Sequence, residues 1–172
     1  EILRLVNKYG RQQVLTGMEE VQNYVERAVR QRIAALPDGT WEATDYIDRD
    51  PGGGEGMIPI KIKMTISGDE IIYDFDGSHS TISSIYNSAE GATFSAVVAG
   101  MKTFFPDLPL NSGFYRMIKV IAPKGSVVSA EWPTAVTGFL MPFEKIMNAI
   151  FEMWSQIIPD RAIACAFNLE YL

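Results

Sequence analysis

The sequence predicts an α+β fold, a small antiparallel or mixed sheet packed against long helices and excised from a larger subunit. Three observations carry this expectation. Val14, Met18, Val21, Val25, Ala28, Val29, Ile33 and Leu36 recur at three- and four-residue steps, the spacing of one helix face. Ile60, Ile62, Met64 and Ile66 alternate with Lys61, Lys63 and Thr65, the period of a strand with one buried and one wet face. The chain of 172 residues begins without Met, inside what reads as a helix, and stops just after an apolar run, which reads as a single central piece of a longer protein. Within it, residues 1–36 form a helical lead and 40–172 hold the sheet and remaining helices.

Residues 1–9 read as a helix end closed by Gly10, and 11–36 as a long amphipathic helix stopped by Pro37, with Asp38-Gly39 as a turn. Thr40 to Asp48 reads as a strand, and Asp50 to Gly56 as a flexible glycine-rich loop. The strand Ile58–Ile66 turns at Ser67-Gly68-Asp69 into a partner strand, Ile71–Asp76. Ser88–Phe105 reads as a helix rich in small residues and therefore closely packed. Tyr115–Ala122 reads as a strand, and the segment 142–158 as a helix that is apolar on most sides. Such a helix is internal or covered by another chain.

Composition narrows the function. Hydrophobic residues make up 47% of the chain, enough for a real core. The net charge is -6, and no basic stripe of the kind nucleic-acid binders carry is visible. No window is apolar over the roughly 18 residues a membrane span needs. A lone Cys165 in the apolar run 162–167 reads as a small buried hydrophobe. Without a second Cys, no internal disulfide can form, which suits a reducing, cytoplasmic setting.

The glycines at 52–54 and 56 are followed by a strand, not by the Lys-Ser/Thr and helix of a phosphate loop. The polar residues concentrate instead between Asp74 and Asn87. Asp74 and Asp76 lie two apart on the expected strand and share a face. Two carboxylates there repel unless something positive sits between them, a metal, Lys63 or Arg116; the alternative is that this face is simply solvent. His79 is the only histidine and stands nearby as a possible base or ligand, or simply as a loop residue. Asn111 sits in a turn before Arg116, whose guanidinium suits a carboxylate or bicarbonate or a pairing with Asp74 or Asp76.

The order of these segments resembles the hydantoinase B/oxoprolinase family. Leu36-Pro37-Asp38-Gly39, Gly68-Asp69, Asp74-Phe75-Asp76-Gly77-Ser78, Asn87, Pro109-Leu110-Asn111-Ser112-Gly113, Arg116, Pro123-Lys124-Gly125-Ser126 and Pro133-Thr134-Ala135-Val136 follow one another with the family's spacing. Asp76 stands where a Ser or Thr is usual, and Met117 where a Pro is usual. These departures make the chain look closest to the α subunits of acetone carboxylase-type enzymes.

The resemblance implies ATP-dependent chemistry on a small carbonyl compound, with a hydantoinase A-like ATP-binding partner in a hetero-oligomer. One branch joins a ketone such as acetone to bicarbonate, and the other opens a hydantoin or 5-oxoproline ring. It also implies Mg with the ATP, and manganese in the carboxylase branch with ligands outside this piece, which alone would be inactive. On this reading Asp76 or His79 moves protons and Arg116 holds an anion. Ser78, Asn87 and Asn111 border the substrate. An expectation of another class is a non-catalytic assembly module, presenting the apolar helix at 142–158 to its partners.

Overall fold

The computed structural model describes residues 1–165. Two helices lead, α1 (Ile2–Tyr9) and α2 (Arg11–Ala34). Between them Gly10 takes a φ of 84°, a left-handed conformation that a residue without a Cβ adopts cheaply. The strands β1 (Gly39–Ile47), β2 (Ile58–Ser67) and β3 (Glu70–Asp74) form an antiparallel meander. At the β2–β3 turn the Gly68 N–H donates to Asp38 Oδ1 at 2.8 Å, so the two turn motifs brace each other. After α3 (Glu90–Phe104), β4 (Ile118–Ile121) joins parallel to β3, completing a sheet of order β1-β2-β3-β4. A parallel pair needs a long crossover, and α3 lies within it.

The alternation read from β2 holds. Ile58, Ile60, Ile62, Met64 and Ile66 are buried on one face, joined there by Ile71, Tyr73 and Phe75. Over that face lies α4 (Leu140–Ile157), against β1 and β2 on one side and α3 on the other. This explains its apolar surface, because the chain covers the helix itself. Trp154 fills the centre, stacked on Phe104 at 5.9 Å and edge-on to Phe105 at 5.3 Å, with its Nε1–H donating to the buried Tyr73 hydroxyl at 3.0 Å. Burial pushes the Tyr73 phenol pKa up. The α3–α4 approach is close at Gly100, where a Cβ would stand 2.9 Å from Ile150 Cγ2. Only one flank of α3 is packed; Gly91 and Ser95 are exposed.

Three expectations are corrected. The strand read over Tyr115–Ala122 begins at Ile118, because Ser112–Tyr115 closes into a 3-10 turn capped by Asn111. The strand read to Asp76 ends at Asp74, whose Oδ1 accepts the Asp76 N–H at 3.0 Å and turns the chain away. Cys165 is exposed rather than buried; Phe167 of the same run lies outside the described residues.

Candidate functional site

The end of β3 delivers the Asp74–Asn87 segment to the open face of the sheet. Thr44, Glu42, Lys61, Lys63, Asp74 and Asp76 line a polar cleft of about 140 Å³ there. Lys63 Nζ stands 3.7 Å from Asp74 Oδ2, so lysine is the positive neighbour. The Asp76 side chain is exposed and accepts no hydrogen bond among the described residues. Gly77 (φ 79°) then reverses the chain beside the Lys61 ammonium, which makes no ion pair among the described residues.

Ser78 extends the sheet. Its hydroxyl accepts from Lys61 N–H and donates to Lys61 carbonyl O, both at 3.1 Å, meeting backbone groups of β2 that β3 no longer reaches. The His79 N–H continues the ladder to Pro59 O at 3.0 Å. The His79 ring is exposed, with Nδ1 2.7 Å from Ser80 O. A carbonyl only accepts, so Nδ1 carries the proton, leaving Nε2 an open lone pair in the neutral ring.

The other candidates serve the fold. Asn87 is completely buried; Oδ1 accepts Ile82 N–H, and Nδ2 donates to the carbonyls of Ile82, Ser84 and Ala135 at 2.8–3.1 Å. It staples the loop before α3 to the segment before α4. Asn87→Ala is expected to cost about 1–3 kcal/mol or more, since several buried backbone groups lose their partner; urea denaturation measures it. Asn111 caps its turn through Gly113 N–H at 2.8 Å. Arg116 does not approach Asp74 or Asp76: it bonds Asn23, Glu26 and Gln22 on α2, each at 2.9 Å. The hydrogen bond from Arg116, followed by that from Arg30, holds the Glu26 carboxyl below its ordinary pKa.

Three residues went unread in the sequence. Lys61 read only as one of the lysines on the wet face of β2. Asp50 is buried, its Oδ1 accepting Gly52 N–H at 2.8 Å and its Oδ2 accepting from Ser83 Oγ at 3.2 Å. This pins the near end of the glycine loop, and Asp-Pro-Gly was its legible turn signal. The hydrogen bonds from Ser84 and Gly52 lead in holding the Asp50 carboxyl below its ordinary pKa. A depressed folded-state pKa stabilises above the unfolded value and is lost as pH falls through the folded one. The stability gap between wild type and Asp50→Asn is therefore expected to shrink below about pH 4, measured by denaturation at stepped pH. Glu144 on α4 is also buried, and its Oε1 has no hydrogen-bond partner among the described residues.

Among the described residues no group of three or more His, Cys, Asp or Glu side chains is placed to hold a metal ion. None of the described helices is long and apolar enough to cross a membrane.

The family model for hydantoinase B/oxoprolinase matches residues 1–170. The chain belongs to the hydantoinase B/oxoprolinase family. Its backbone superposes on the crystal structure of the ATP-dependent caprolactamase from Pseudomonas jessenii with a TM-score of 0.81 and 27% identity, covering 93% of this chain and 28% of that one. The sequence is 29% identical over 154 residues to 5-oxoprolinase 1 of Arabidopsis thaliana, covering 80% of this chain and 12% of that protein. A nucleotide-free acetone carboxylase structure matches with a TM-score of 0.79 at 19% identity, over 93% of this chain and 23% of that one, a likeness of fold alone. The chain thus spans less than a third of each of these proteins.

Proposed function

We propose that this chain is part of a hydantoinase B-type subunit that opens a cyclic amide at the expense of ATP, with the nucleotide bound by a hydantoinase A-like partner. The observation that carries the site is what the fold leaves over. Of the six polar residues singled out, Ser78, Asn87, Asn111 and Arg116 are occupied by backbone or by α2, while Asp76 and His79 keep open groups at one strand end. Lys61 lines the same cleft as Asp76.

Opening a lactam needs a base to take a proton from attacking water and an acid to deliver one to the departing ring nitrogen. The Asp76 carboxylate and His79 Nε2 suit the first task, and protonated His79 the second. The Lys61 ammonium would offset negative charge growing on the carbonyl oxygen. ATP would supply the driving force for breaking an unstrained amide. Neither the glycine loop nor any acidic cluster among the described residues forms a nucleotide or metal site, so no step of this reaction is assigned to them.

Support for the cyclic amide comes from relatives named for caprolactam and 5-oxoproline at 27% and 29% identity. The second reading, carboxylation of a ketone such as acetone with bicarbonate, draws on the fold of acetone carboxylase and on Asp76 and Met117, where the sequence leaves the family pattern. The test is ATP consumption by the complete native complex with a lactam, with a hydantoin, and with acetone plus bicarbonate. Consumption only with the ketone pair would overturn the cyclic-amide reading. In the same complex Asp76→Ala should lower kcat by about 100-fold or more, the lower range for a lost proton-transfer group, while leaving the melting temperature unchanged. Full activity of that variant would remove Asp76 from the mechanism.

A further inference from the structure

The long helix α2 carries one continuous apolar stripe, and the domain covers only half of it. Val25, Val29 and Ile33 are buried, whereas Val21 and Met18, one and two steps earlier on the same face, are 60% and 48% exposed. The uncovered part, from Arg11 to Tyr24, is about 21 Å long. α1 folds beside it and adds Leu5 and Tyr9, and has no buried residue of its own. Together they line an apolar groove of about 470 Å³, with Gly17 on its wall facing open space.

An exposed apolar stripe this long is unusual for a finished surface. We infer that the α1–α2 groove is the seat of an apolar helix from another part of the same hydantoinase B subunit. Two observations select that occupant. The stripe is continuous with the domain's own core, so its cover extends that core. In relatives such as caprolactamase, this chain matches only 28% of the solved polypeptide, leaving ample further chain to supply a helix. Leu5, Tyr9, Val14, Met18 and Val21 dominate the groove, its polar members Gln13, Gln22 and Asn111 are uncharged, and the lack of charge suits a permanent partner more than a transient one. This displaces the earlier expectation that helix 142–158 forms the assembly surface, since α4 is consumed by the core. The inference does not depend on which substrate the enzyme takes.

Hydrogen exchange on the full-length wild-type subunit, alone, tests it. Backbone amides of 14–24 are expected to exchange as slowly as those of 25–33, at every protein concentration. Met18→Glu is expected to lower the melting temperature of the subunit by itself. Protection that appears only when the ATP-binding partner is added would assign the groove to that partner and overturn the inference. Protection that grows with concentration would assign it to a second copy, and rapid exchange under all conditions would leave it uncovered; both overturn it as well.

Discussion

Replacing Trp154 by alanine is expected to cost about 3–5 kcal/mol, the range for deleting a large buried aromatic. Set against a domain stability of about 5–15 kcal/mol, that is a large fraction of the whole. The side chain is fully buried and touches Phe104 and Phe105 through its rings. Its Nε1–H also donates to the Tyr73 hydroxyl at 3.0 Å, the one such donor among the described residues. Trp154→Phe separates the two contributions. It retains most of the ring volume but orphans a buried hydroxyl, for about 1–3 kcal/mol. Adding Tyr73→Phe removes the orphan, so the double variant should be no less stable than Trp154→Phe alone. Urea denaturation followed by circular dichroism reads all three; a double variant markedly worse than the single would show that the hydroxyl has another role.

That cluster also marks where the sequence stops being legible. The apolar positions of α4 are plain, but a helix apolar on most sides fits a core and an interface equally. Only the packing of α3 and the sheet against it decides. The alternation of β2 and the stripe of α2 were readable because each has one period and one buried face. The candidate site was readable only in part, for a related reason. Ser78, Asn87 and Asn111 are residue types that bond either a ligand or nearby backbone, and sequence does not say which. In the fold all three meet backbone groups left unpaired where strands and turns end. Asp76 and His79 lie just past the end of β3, not on it, and Lys61, which lines the cleft with Asp76, was hidden within the regular alternation of β2.

The motif Pro109-Leu110-Asn111-Ser112-Gly113 with Arg116 gives the second large effect. A Cβ on Gly113 would overlap the Gln22 carbonyl oxygen and stand 3.0 Å from Glu26 N. Both are backbone atoms of α2, which cannot swing aside as a side chain does. Gly113→Ala must therefore lift α2 from the 3-10 turn, and it loosens the Arg116–Glu26 pair at 2.9 Å as a consequence. The cost is expected at or above the about 1–3 kcal/mol typical of overpacking. Arg116→Ala removes a half-exposed ion pair without forcing the helix away, and exposed pairs are worth only about 0–1 kcal/mol. The ordering is the test: denaturation should rank Gly113→Ala well below Arg116→Ala, with faster amide exchange across 22–33 in the former. The reverse order would mean that the guanidinium, not the close backbone approach, holds α2. In the complete complex, under the proposed function, the same logic separates fold from chemistry. Activity lost through Gly113 should follow lost stability, whereas activity lost through Asp76 should not.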